Sequence, residues 1–416
     1  MKNKVLTGLL LVLIGGWGSL SAQSAGSNYS RQVNTLIGTK GVGLTSGYLY
    51  PGATYPYGMV QFTPSYFSKR SGFVINQLSG GGCEHMGNFP TFPVKGKLKM
   101  SPDNILNYRI NISEEKGHAG YYEAMVQEDI KAKLTVTERT GMASYEYPAD
   151  QQYGTVIIGG GISATPIEQA AIVITAPNKC EGYAEGGNFC GLRTPYKVYF
   201  VAEFDTDALE SGTWKRNELK PNTTFAEGEY SGVYFTFDVN KKKNIQYKIG
   251  VSYVSVENAR ENLKAENTGW DFLQIQNQAE SKWNHYLGKI EVEGTNPDRT
   301  TQFYTHLYRS FIHPNVCSDV NGEYMGADFK VHKSRSKHYT SFSNWDTYRT
   351  QIQLLSILDP EVASDIVISH QLFAEEAGGA FPRWVMANIE TGVMQGDPTP
   401  ILISNAYAFG ARKIGR

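Results

Sequence analysis

The sequence has almost no net charge, because 39 Lys and Arg side chains offset 40 Asp and Glu side chains. Proteins that bind a nucleic-acid backbone carry a basic patch or a basic excess, and this balance provides neither. The sequence also lacks low-complexity runs, heptads and internal repeats. These absences exclude nucleic-acid, coiled-coil and solenoid functions. They leave a globular chain of 416 residues, long enough for two or three domains.

Long apolar runs are missing as well, apart from one short run at the start. Lys2 and Lys4 precede the apolar segment Leu6–Leu13, and small residues around Ala22 suit a cleavage site. This order is typical of a secretory signal peptide, which we assign to residues 1–23. No cysteine directly follows the run, which argues against a bacterial lipid anchor. No later segment has the unbroken apolar length of a membrane helix. We therefore expect an exported, soluble protein, periplasmic or secreted, without a membrane span.

Cysteine is scarce, since the chain contains Cys83, Cys180, Cys190 and Cys317 and no others. Four scattered cysteines in a chain of this length form neither a disulfide scaffold nor a zinc site. Export permits disulfides, and Cys180 and Cys190 bracket a glycine-containing loop. We therefore expect a local disulfide between these two residues. Cys83 and Cys317 lack such a partner.

Residues 27–257 have the pattern of many short β-strands. Residues 130–136 alternate apolar and polar side chains, which is the period of a half-buried strand. Strand-like segments continue, between glycine-rich breaks, at 155–158, 198–201, 233–237 and 247–253. Short strands at turn spacing predict an antiparallel β-sandwich.

Near Glu257 the apolar period changes to that of helices. Apolar side chains recur at helical spacing from Phe272 to Leu287, and again from Phe303 to Phe311 after a helix start at 296–298. Another helix opens at 359–361, and the apolar segment 401–410 is also predicted to be helical. A strand block followed by a helix block predicts two domains, and we assign residues 258–295 to a helical linker between them.

The helical block at 296–416 has too few predicted helices for a domain with a sizeable core. We therefore expect a truncated chain that ends inside its second domain. Helices that lack partners leave apolar faces in water, so we expect Phe303, Leu307 and Phe311 to be exposed. Residues beyond about 295 should then be marginally stable, whereas the sandwich should be stable by itself.

The segment 343–349 combines an aromatic ring, a carboxylate, a hydroxyl and a guanidinium within a few residues. Sugar sites use this mixture, because an aromatic ring stacks on the apolar face of a pyranose while charged groups bind its hydroxyls. The local alternative is a helix start, with Ser343 or Asn344 as the cap and Asp346 in the first turn.

Several motifs occur in an order that resembles glycoside hydrolase family 92, the calcium-dependent exo-acting α-mannosidases. The resemblance runs from about Val33 to the end of the chain. Any one motif is weak, but the ordered set is specific. The matching segments are 33–39, 51–61, 78–83, 319–326, 342–349, 378–384, 394–397 and 406–410.

The resemblance implies an N-terminal β-sandwich, a helical linker and an (α/α)6 barrel, of which residues 296–416 would form only the first helices. It also implies inverting hydrolysis of terminal α-mannosides, with α-1,2 linkages in mannose-containing glycans as the expected substrates. One carboxylic acid then protonates the leaving oxygen while a carboxylate on the other face activates water. The implied cofactor is Ca²⁺, which contacts the mannose. In the family, the acid, the base and most calcium ligands lie in the later barrel. The resemblance therefore assigns no catalytic residue and no metal ligand to this chain.

Sugar contacts are what the resemblance assigns. Trp345 and Asp346 match the family's Trp-Asp pair in the subsite of the cleaved mannose, where Asp346 would accept hydrogen bonds from hydroxyl groups. Arg383 is a candidate paired donor, and Trp384 is interpreted as a core residue. The remaining carboxylates of this region are interpreted as solvated helix faces or caps: Glu375, Glu376, Glu390 and Asp397.

Cys83 and Glu84 belong to a glycine loop, 80–85, that departs from the residues usual in the family. We expect this loop to reach from the sandwich over the barrel mouth and to contact substrate. Cys83 and His85 are a poor zinc pair, because they lie too close in the sequence. The main alternative is a catalytically inactive carbohydrate-binding protein. A second is another hydrolase or phosphorylase with the same domain order, but the Cys83 loop and the run 345–347 argue against it.

Overall fold

The computed structural model describes residues 28–40, 47–65, 72–102 and 111–413. The signal peptide assigned to residues 1–23 lies outside them. Among the helices of the described ranges, none is both long and apolar enough to cross a lipid bilayer.

The N-terminal part is built from strands. Four of the five strand segments identified in the sequence lie within them, and the fifth, 247–253, extends one residue past β17. A single turn of 3-10 helix, Tyr29–Gln32, precedes the first strand. The strands are β1 (Ala53–Thr54), β2 (Gln61–Pro64), β3 (Phe73–Val74), β4 (Thr91–Lys95), β5 (Ile112–His118), β6 (Tyr121–Val126), β7 (Ile130–Val136), β8 (Thr140–Glu146), β9 (Tyr153–Gly159), β10 (Ile167–Ala176), β11 (Lys179–Phe189), β12 (Leu192–Phe204), β13 (Glu210–Lys215), β14 (Glu218–Pro221), β15 (Phe225–Glu227), β16 (Ser231–Asp238) and β17 (Asn244–Ser252).

These strands form two sheets that share one core. The eight-stranded sheet has the order β1-β2-β3-β4-β9-β16-β13-β14, and the nine-stranded sheet has the order β15-β10-β11-β12-β17-β8-β7-β6-β5. Neighbouring strands pair antiparallel, as in β9 with β16 and β8 with β17. Ring pairs join the two sheets: the centroids of Phe62 and Tyr247 are 6.4 Å apart, and those of Phe204 and Phe235 are 4.9 Å apart. The predicted antiparallel β-sheet domain is confirmed.

The C-terminal part is helical, and two of its helices, α3 and α6, begin where the predicted capping residues lie. Asn296 accepts hydrogen bonds from the backbone N–H groups of Asp298 and Arg299, and Asp359 accepts one from Val362. The helices are α1 (Val256–Glu266), α2 (Phe272–Leu287), α3 (Pro297–Ser310), α4 (Asn344–Thr347), α5 (Gln351–Leu358), α6 (Pro360–Glu376) and α7 (Thr399–Phe409).

Six short strands between the helices were missed in the sequence, because strands of two or three residues have no readable period. They form three two-stranded sheets. Their bounds are β18 (Asn315–Val316), β19 (Glu323–Met325), β20 (Val331–Lys333), β21 (Tyr339–Thr340), β22 (Val385–Met386) and β23 (Ile389–Glu390).

The helical part shares its apolar core with the N-terminal segment. Tyr57, which precedes β2, packs edge-to-face on Tyr286 of α2, on Phe311 after α3 and on Tyr339 of β21. The ring centroids are 5.6, 6.0 and 6.1 Å apart. The two parts therefore stabilise each other through one continuous packed surface.

The expected exposure of the α3 apolar face is wrong. Leu307 is 5% exposed and Phe311 is fully buried, while Phe303 is partly buried in the same cluster. The reason is that Val33 and Tyr50, from the N-terminal segment, belong to this cluster and supply the missing partners. Exposed apolar side chains occur farther along, on α5 and α7: Ile357, Ile401, Tyr407 and Phe409.

A buried carboxylate also joins the two parts. Asp319, between β18 and β19, accepts hydrogen bonds from Ser252 Oγ at 2.6 Å, Asn258 Nδ2 at 2.8 Å and Asn262 Nδ2 at 2.6 Å. Burial raises the pKa of Asp319 above its ordinary value, while these three donors lower it. The carboxylate thereby fixes the end of the sandwich and helix α1 against the loop that follows β18.

Candidate functional site

A cleft of about 420 Å³ lies where the glycine loop of the sandwich meets the helical part. Its volume is in the range of sites for small ligands. The sandwich wall is formed by Leu78, Ser79, Gly80, Gly81, Gly82, Cys83, Phe189 and Cys190. The opposite, helical wall is formed by Arg309, His313, Ser341, Ser343, Asp346, Thr347, Gln351, Trp384, Val393 and Met394.

The disulfide of this wall differs from the one expected. Cys83 is bonded to Cys190, whereas Cys180 and Cys317 are buried free thiols. The expectation failed because Cys180 lies in the middle of the sheet, near the start of β11, with its side chain in the core. Cys190 instead lies in the turn after β11, where it meets the glycine loop. The disulfide therefore fixes the glycine loop to the β11–β12 turn at the edge of the cleft.

Two imidazoles bind Leu78 and Ser79, the residues that lead into the glycine loop. The backbone N–H of Leu78 donates to His85 Nε2 at 2.8 Å, and the N–H of Ser79 donates to His313 Nε2 at 2.8 Å. His85 belongs to the sandwich, whereas His313 follows α3. Burial lowers the pKa of each imidazole to about 4. Both imidazoles are therefore neutral near pH 7.

On the helical wall, Asp346 is the residue of the Ser-Asn-Trp-Asp segment that lines the cleft. It lies in the first turn of the short helix α4, where Ser343 Oγ donates a hydrogen bond to its carboxylate. Asp346 therefore lies in the first turn of a helix and also lines the cleft, but no side chain caps α4, contrary to the expected cap at Ser343 or Asn344. It is the one carboxylate among the described residues that line the cleft.

Asn344 anchors this helix start from below. Its side chain is fully buried, and its Nδ2 donates to Pro382 O at 3.0 Å and to Thr399 Oγ1 at 2.8 Å. The segment before α4 is held in an unusual backbone conformation, since Ser341 has φ +61°. Met394, on the same wall, has φ +67°. Non-glycine residues in the left-handed region cluster at functional sites, because the surroundings must stabilise them.

Trp345 is not among the residues that line the cleft. Its side chain is 38% exposed, and the Arg349 guanidinium lies 5.4 Å from the centre of its ring. The same guanidinium lies 4.7 Å from the ring centre of Tyr348. The Trp345 ring thus forms a cation–π contact with Arg349, four residues further along the chain. It does not line the wall beside Asp346.

Arg383 does not line the cleft either. It donates from Nη1 to Met394 O at 3.0 Å, and its backbone N–H donates to Glu390 Oε2 at 2.7 Å. It thereby positions the Met394 rim of the cleft. Trp384 is buried, as interpreted from the sequence, but it also lines the cleft and packs 4.4 Å from Phe189. It thus contributes a small apolar part of the cleft lining while most of its ring is packed in the core.

Glu84 is exposed and lies outside the lining set, although its neighbour Cys83 belongs to that set. Two of the carboxylates interpreted as structural have structural partners. Glu376 accepts from Tyr324 Oη at 2.6 Å and from the backbone N–H of Ala327 at 3.0 Å. Glu390 accepts from three backbone N–H groups of its own loop.

Sequence reasoning missed Arg309 and His313. Arg309 Nη2 donates to Thr35 O at 3.1 Å and to Ile37 O at 2.6 Å, and burial lowers the pKa of its guanidinium. No carboxylate of the described residues forms an ion pair with it. The signal for these residues was slight. A lone arginine in a last helical turn is common, and a histidine after a helix usually indicates a cap.

No group of three or more His, Cys, Asp and Glu side chains that could hold a metal occurs among the described residues. A calcium site needs six to eight oxygen ligands, several of them carboxylates. The single carboxylate of the cleft does not meet that need, so we assign no calcium ligand among the residues that the structure describes.

The cleft at the junction of the β-sandwich and the helices combines aromatic, hydroxyl and carboxylate groups, a combination suited to a carbohydrate-binding class of protein. Two family models match the chain. The model of the glycosyl hydrolase family 92 N-terminal domain matches residues 32–252, and that of the family 92 catalytic domain matches residues 258–415. The chain therefore belongs to glycosyl hydrolase family 92.

Individual relatives agree with this assignment. An uncharacterized secreted glycosidase of Arthroderma benhamiae is 26% identical over 363 residues, which is 77% of this chain and 45% of the relative. A family 92 α-mannosidase of Bacteroides thetaiotaomicron, also solved in complex with mannoimidazole, superimposes with a TM-score of 0.81. It is 25% identical and is matched over 89% of this chain and 52% of its own.

A family 92 inverting mannosidase of the same species has a TM-score of 0.81 at 24% identity, over 93% of this chain and 54% of its own. This second likeness shows the shared fold. The chain thus spans about half the length of the relatives that it matches.

Proposed function

We propose that this chain forms the sandwich and first helices of an exported, exo-acting, inverting α-mannosidase that removes terminal mannose from glycans, with preference for α-1,2 linkages. The observation that supports this proposal is the cleft at the junction of the two parts, which Asp346 and Trp384 line. Family membership and the mannoimidazole complex of a related α-mannosidase support mannose as the sugar. The secreted relative from Arthroderma benhamiae supports export.

The cleft supplies groups suited to a pyranose. The Asp346 carboxylate can accept charge-assisted hydrogen bonds from two sugar hydroxyls, which fixes the orientation of the ring. Trp384 and Phe189 pack on each other and are largely buried, and their remaining exposed atoms add an apolar patch to the lining that a sugar C–H group can contact. Hydroxyl side chains of Ser341 and Thr347 add adaptable donors and acceptors on the helical wall.

In this proposal, the catalytic acid and base lie in the part of the relatives that this chain does not match. An inverting enzyme needs an acid and a base roughly 6.5–9.5 Å apart across the sugar. The described cleft residues contain one carboxylate, Asp346. We therefore propose that residues 28–413 bind mannose but do not hydrolyse the glycosidic bond by themselves.

We further propose that the helical part of the chain is the beginning of an (α/α)6 barrel. Ile357 on α5 and Ile401, Tyr407 and Phe409 on α7 are between 46% and 60% exposed. Apolar side chains of that size gather on a monomer's surface where a partner covers them. Further barrel helices would cover this face and bring their carboxylates to the cleft. Calcium, if the whole enzyme uses it, would take its ligands from the same helices.

The test uses α-1,2-mannobiose and mannose. We expect residues 28–413 to bind mannose and to release no free mannose from the disaccharide. A protein extended to the relatives' length should hydrolyse the disaccharide, and proton NMR should show β-mannose as the first product, because inversion changes the anomer. Appearance of α-mannose first would contradict inversion.

One result would favour a second function, a carbohydrate-binding protein without catalysis. The single carboxylate of the described cleft is compatible with that role. An extended protein that binds mannose yet cleaves no α-mannoside would support it.

A further inference from the structure

The glycine loop forms much of the sandwich wall, yet its own side chains do little to hold it. A Cβ added at Gly80 would meet no heavy atom within 4 Å, and Gly82 is exposed. Gly80 has φ +84°, a conformation that side chains rarely adopt. The position of this wall must therefore be set by contacts to the loop backbone and by the disulfide at its far end.

His85 fixes the loop from the sandwich side, and its tautomer follows from its partners. Nδ1 lies 2.7 Å from the carbonyl oxygen of Cys83, which can only accept, so Nδ1 carries the proton. Nε2 lies 2.8 Å from the backbone N–H of Leu78, which can only donate, so Nε2 offers its lone pair. One neutral imidazole thus ties both ends of the segment from Leu78 to Cys83 together.

His313 fixes the loop from the helical side by the same logic. Asn315 Nδ2 donates to Gly58 O at 2.8 Å and to Ile312 O at 2.9 Å, which leaves its Oδ1 to accept. His313 Nδ1 lies 2.7 Å from that Oδ1 and must donate, so Nε2 accepts from the backbone N–H of Ser79. The acceptor state of His313 is therefore determined by neighbours that cannot reverse their roles.

We propose that His85 and His313 are positioning residues of the mannose cleft, which as neutral imidazoles latch the backbone N–H groups of Leu78 and Ser79 and so hold the glycine loop as its sandwich wall. This inference rests on the proposed function for the identity of the ligand. The latch itself rests on the hydrogen bonds alone. A proton on either Nε2 would point an N–H at an N–H. At His313 this would release Ser79 from the helical wall, and at His85 it would release Leu78.

The charged groups around the latch make protonation unfavourable near neutral pH. His85 and His313 repel each other's charge, and the ring of Phe189 beside His85 is apolar. From the helical wall, α3 contributes the Arg309 guanidinium, and α5 contributes the Gln351 amide, which donates to His313 O. Asp346 on α4 is the one carboxylate of the lining set that could favour the charged form.

Two variants of His313 distinguish the effect of its hydrogen-bond acceptor from the effect of its protonation. In His313→Gln the amide oxygen can replace Nε2 as an acceptor that does not titrate, whereas His313→Leu removes the acceptor. His306→Gln is the matched control, because His306 is exposed on α3 and outside the cleft set. Mannose affinity and Ser79 amide exchange are measured in residues 28–413 from pH 7 to pH 4.

We expect mannose affinity of the wild type to fall about tenfold as the pH approaches 4, the effect of losing one hydrogen bond. In His313→Leu it should be about tenfold weaker at every pH, and in His313→Gln its pH dependence should be flatter. Ser79 amide protection should follow the same order. The control should behave as the wild type. Equal affinity and protection in His313→Leu and the wild type would overturn the proposal.

A measurement on the wild type needs no folded variant and no sugar. Nitrogen-15 NMR of labelled histidines should show His85 and His313 as Nδ1–H tautomers at pH 7. An Nε2–H tautomer, or a charged ring, at either residue would overturn the latch. If the wild type binds no mannose at any pH, the proposed function fails, and the tautomers with the Ser79 exchange still decide the latch.

Discussion

Cys83 and Cys190 are joined by a disulfide across 107 residues of sequence, and both line the candidate cleft. The glycine loop lies between β3 and β4 of the eight-stranded sheet. The disulfide connects it to the β11–β12 turn of the nine-stranded sheet. It therefore crosses from one sheet of the sandwich to the other at the edge of the site. Opening it would release the far end of the loop that His85 and His313 hold at its start.

Replacing Cys83 and Cys190 together by Ala should lower the free energy of unfolding by about 2–4 kcal/mol, because a cross-link between distant residues restricts the unfolded chain. Urea unfolding with and without a reductant measures this. The wild type should lose stability on reduction, whereas the double variant should not respond. Its own free thiols, Cys180 and Cys317, remain as an internal control. An unresponsive wild type would contradict the prediction.

Asp319→Ala should lower the free energy of unfolding by about 3 kcal/mol, because it leaves buried donors of Ser252, Asn258 and Asn262 without their acceptor. The loss should appear in urea unfolding, together with faster amide exchange where α1 meets β17. Asp150→Ala, at an exposed turn, is the control and should change little. A change at Asp319 no larger than at Asp150 would show that the carboxylate does not join the two parts.

Stability should decrease as the pH falls from about 6.5 toward 4. Burial lowers the pKa of His370 to about 4 and that of His338 to about 3, so the folded chain keeps both neutral while the unfolded chain takes up protons below about 6.5. Because the unfolded state binds more protons, the free energy of unfolding falls with pH, by about 2 kcal/mol for each such histidine at pH 5.

Urea unfolding at several pH values checks that slope. His370→Gln should reduce it, since its amide can still bond Asn344 but does not titrate. The exposed His306 provides the control substitution, His306→Gln, which should leave the slope unchanged. A flat stability between pH 7 and pH 5 would be inconsistent with buried neutral histidines.

Much of the fold was predictable because its information is local. Strand β7 has the bounds that its alternating pattern predicts, and α3 and α6 begin after Asn296 and Asp359, whose side chains cap them. The two-residue strands β22 and β23 carry no period, so they could not be found. The shared core at Tyr57 joins residues more than 200 positions apart, which no local pattern encodes.

The candidate site was predictable only in part, for the same reason. Asp346 and Cys83 were selected as site residues, and the structure brings them to opposite walls of one cleft. Trp345 and Glu84 were also selected, but neither lines the cleft. Each is adjacent in sequence to a lining residue, and adjacent side chains need not face the same way. Arg309 and His313 reach the cleft through tertiary packing alone.

The sandwich alone, residues 28–252, should be less stable than residues 28–413. Tyr57 would lose its ring contacts with Tyr286, Phe311 and Tyr339, and Tyr50 would lose the cluster that buries it. Thermal melting and dye binding to exposed apolar surface compare the two chains. A sandwich that melts at the temperature of the longer chain would show that the shared core adds nothing to its stability.

Asp346→Ala should abolish most sugar recognition while the chain stays folded. Charge-assisted hydrogen bonds from hydroxyls contribute roughly 1.5–3 kcal/mol each, so mannose affinity of residues 28–413 should fall by about one to two powers of ten. In a protein extended to the relatives' length, kcat/KM should fall by about two to four powers of ten, because the ring is also misplaced against the acid and base. The melting temperature should change little, since a cap contributes about 1 kcal/mol.

The control for Asp346 is Asp298→Ala. Asp298 also lies in the first turn of a helix, α3, but outside the cleft set, so it reproduces the helix-start effect without the sugar contact. Both variants should lose a similar, small amount of stability, and Asp346→Ala alone should lose mannose affinity. If the two variants bind mannose equally well, Asp346 acts only at the helix start, and the sugar is held by other groups of the cleft.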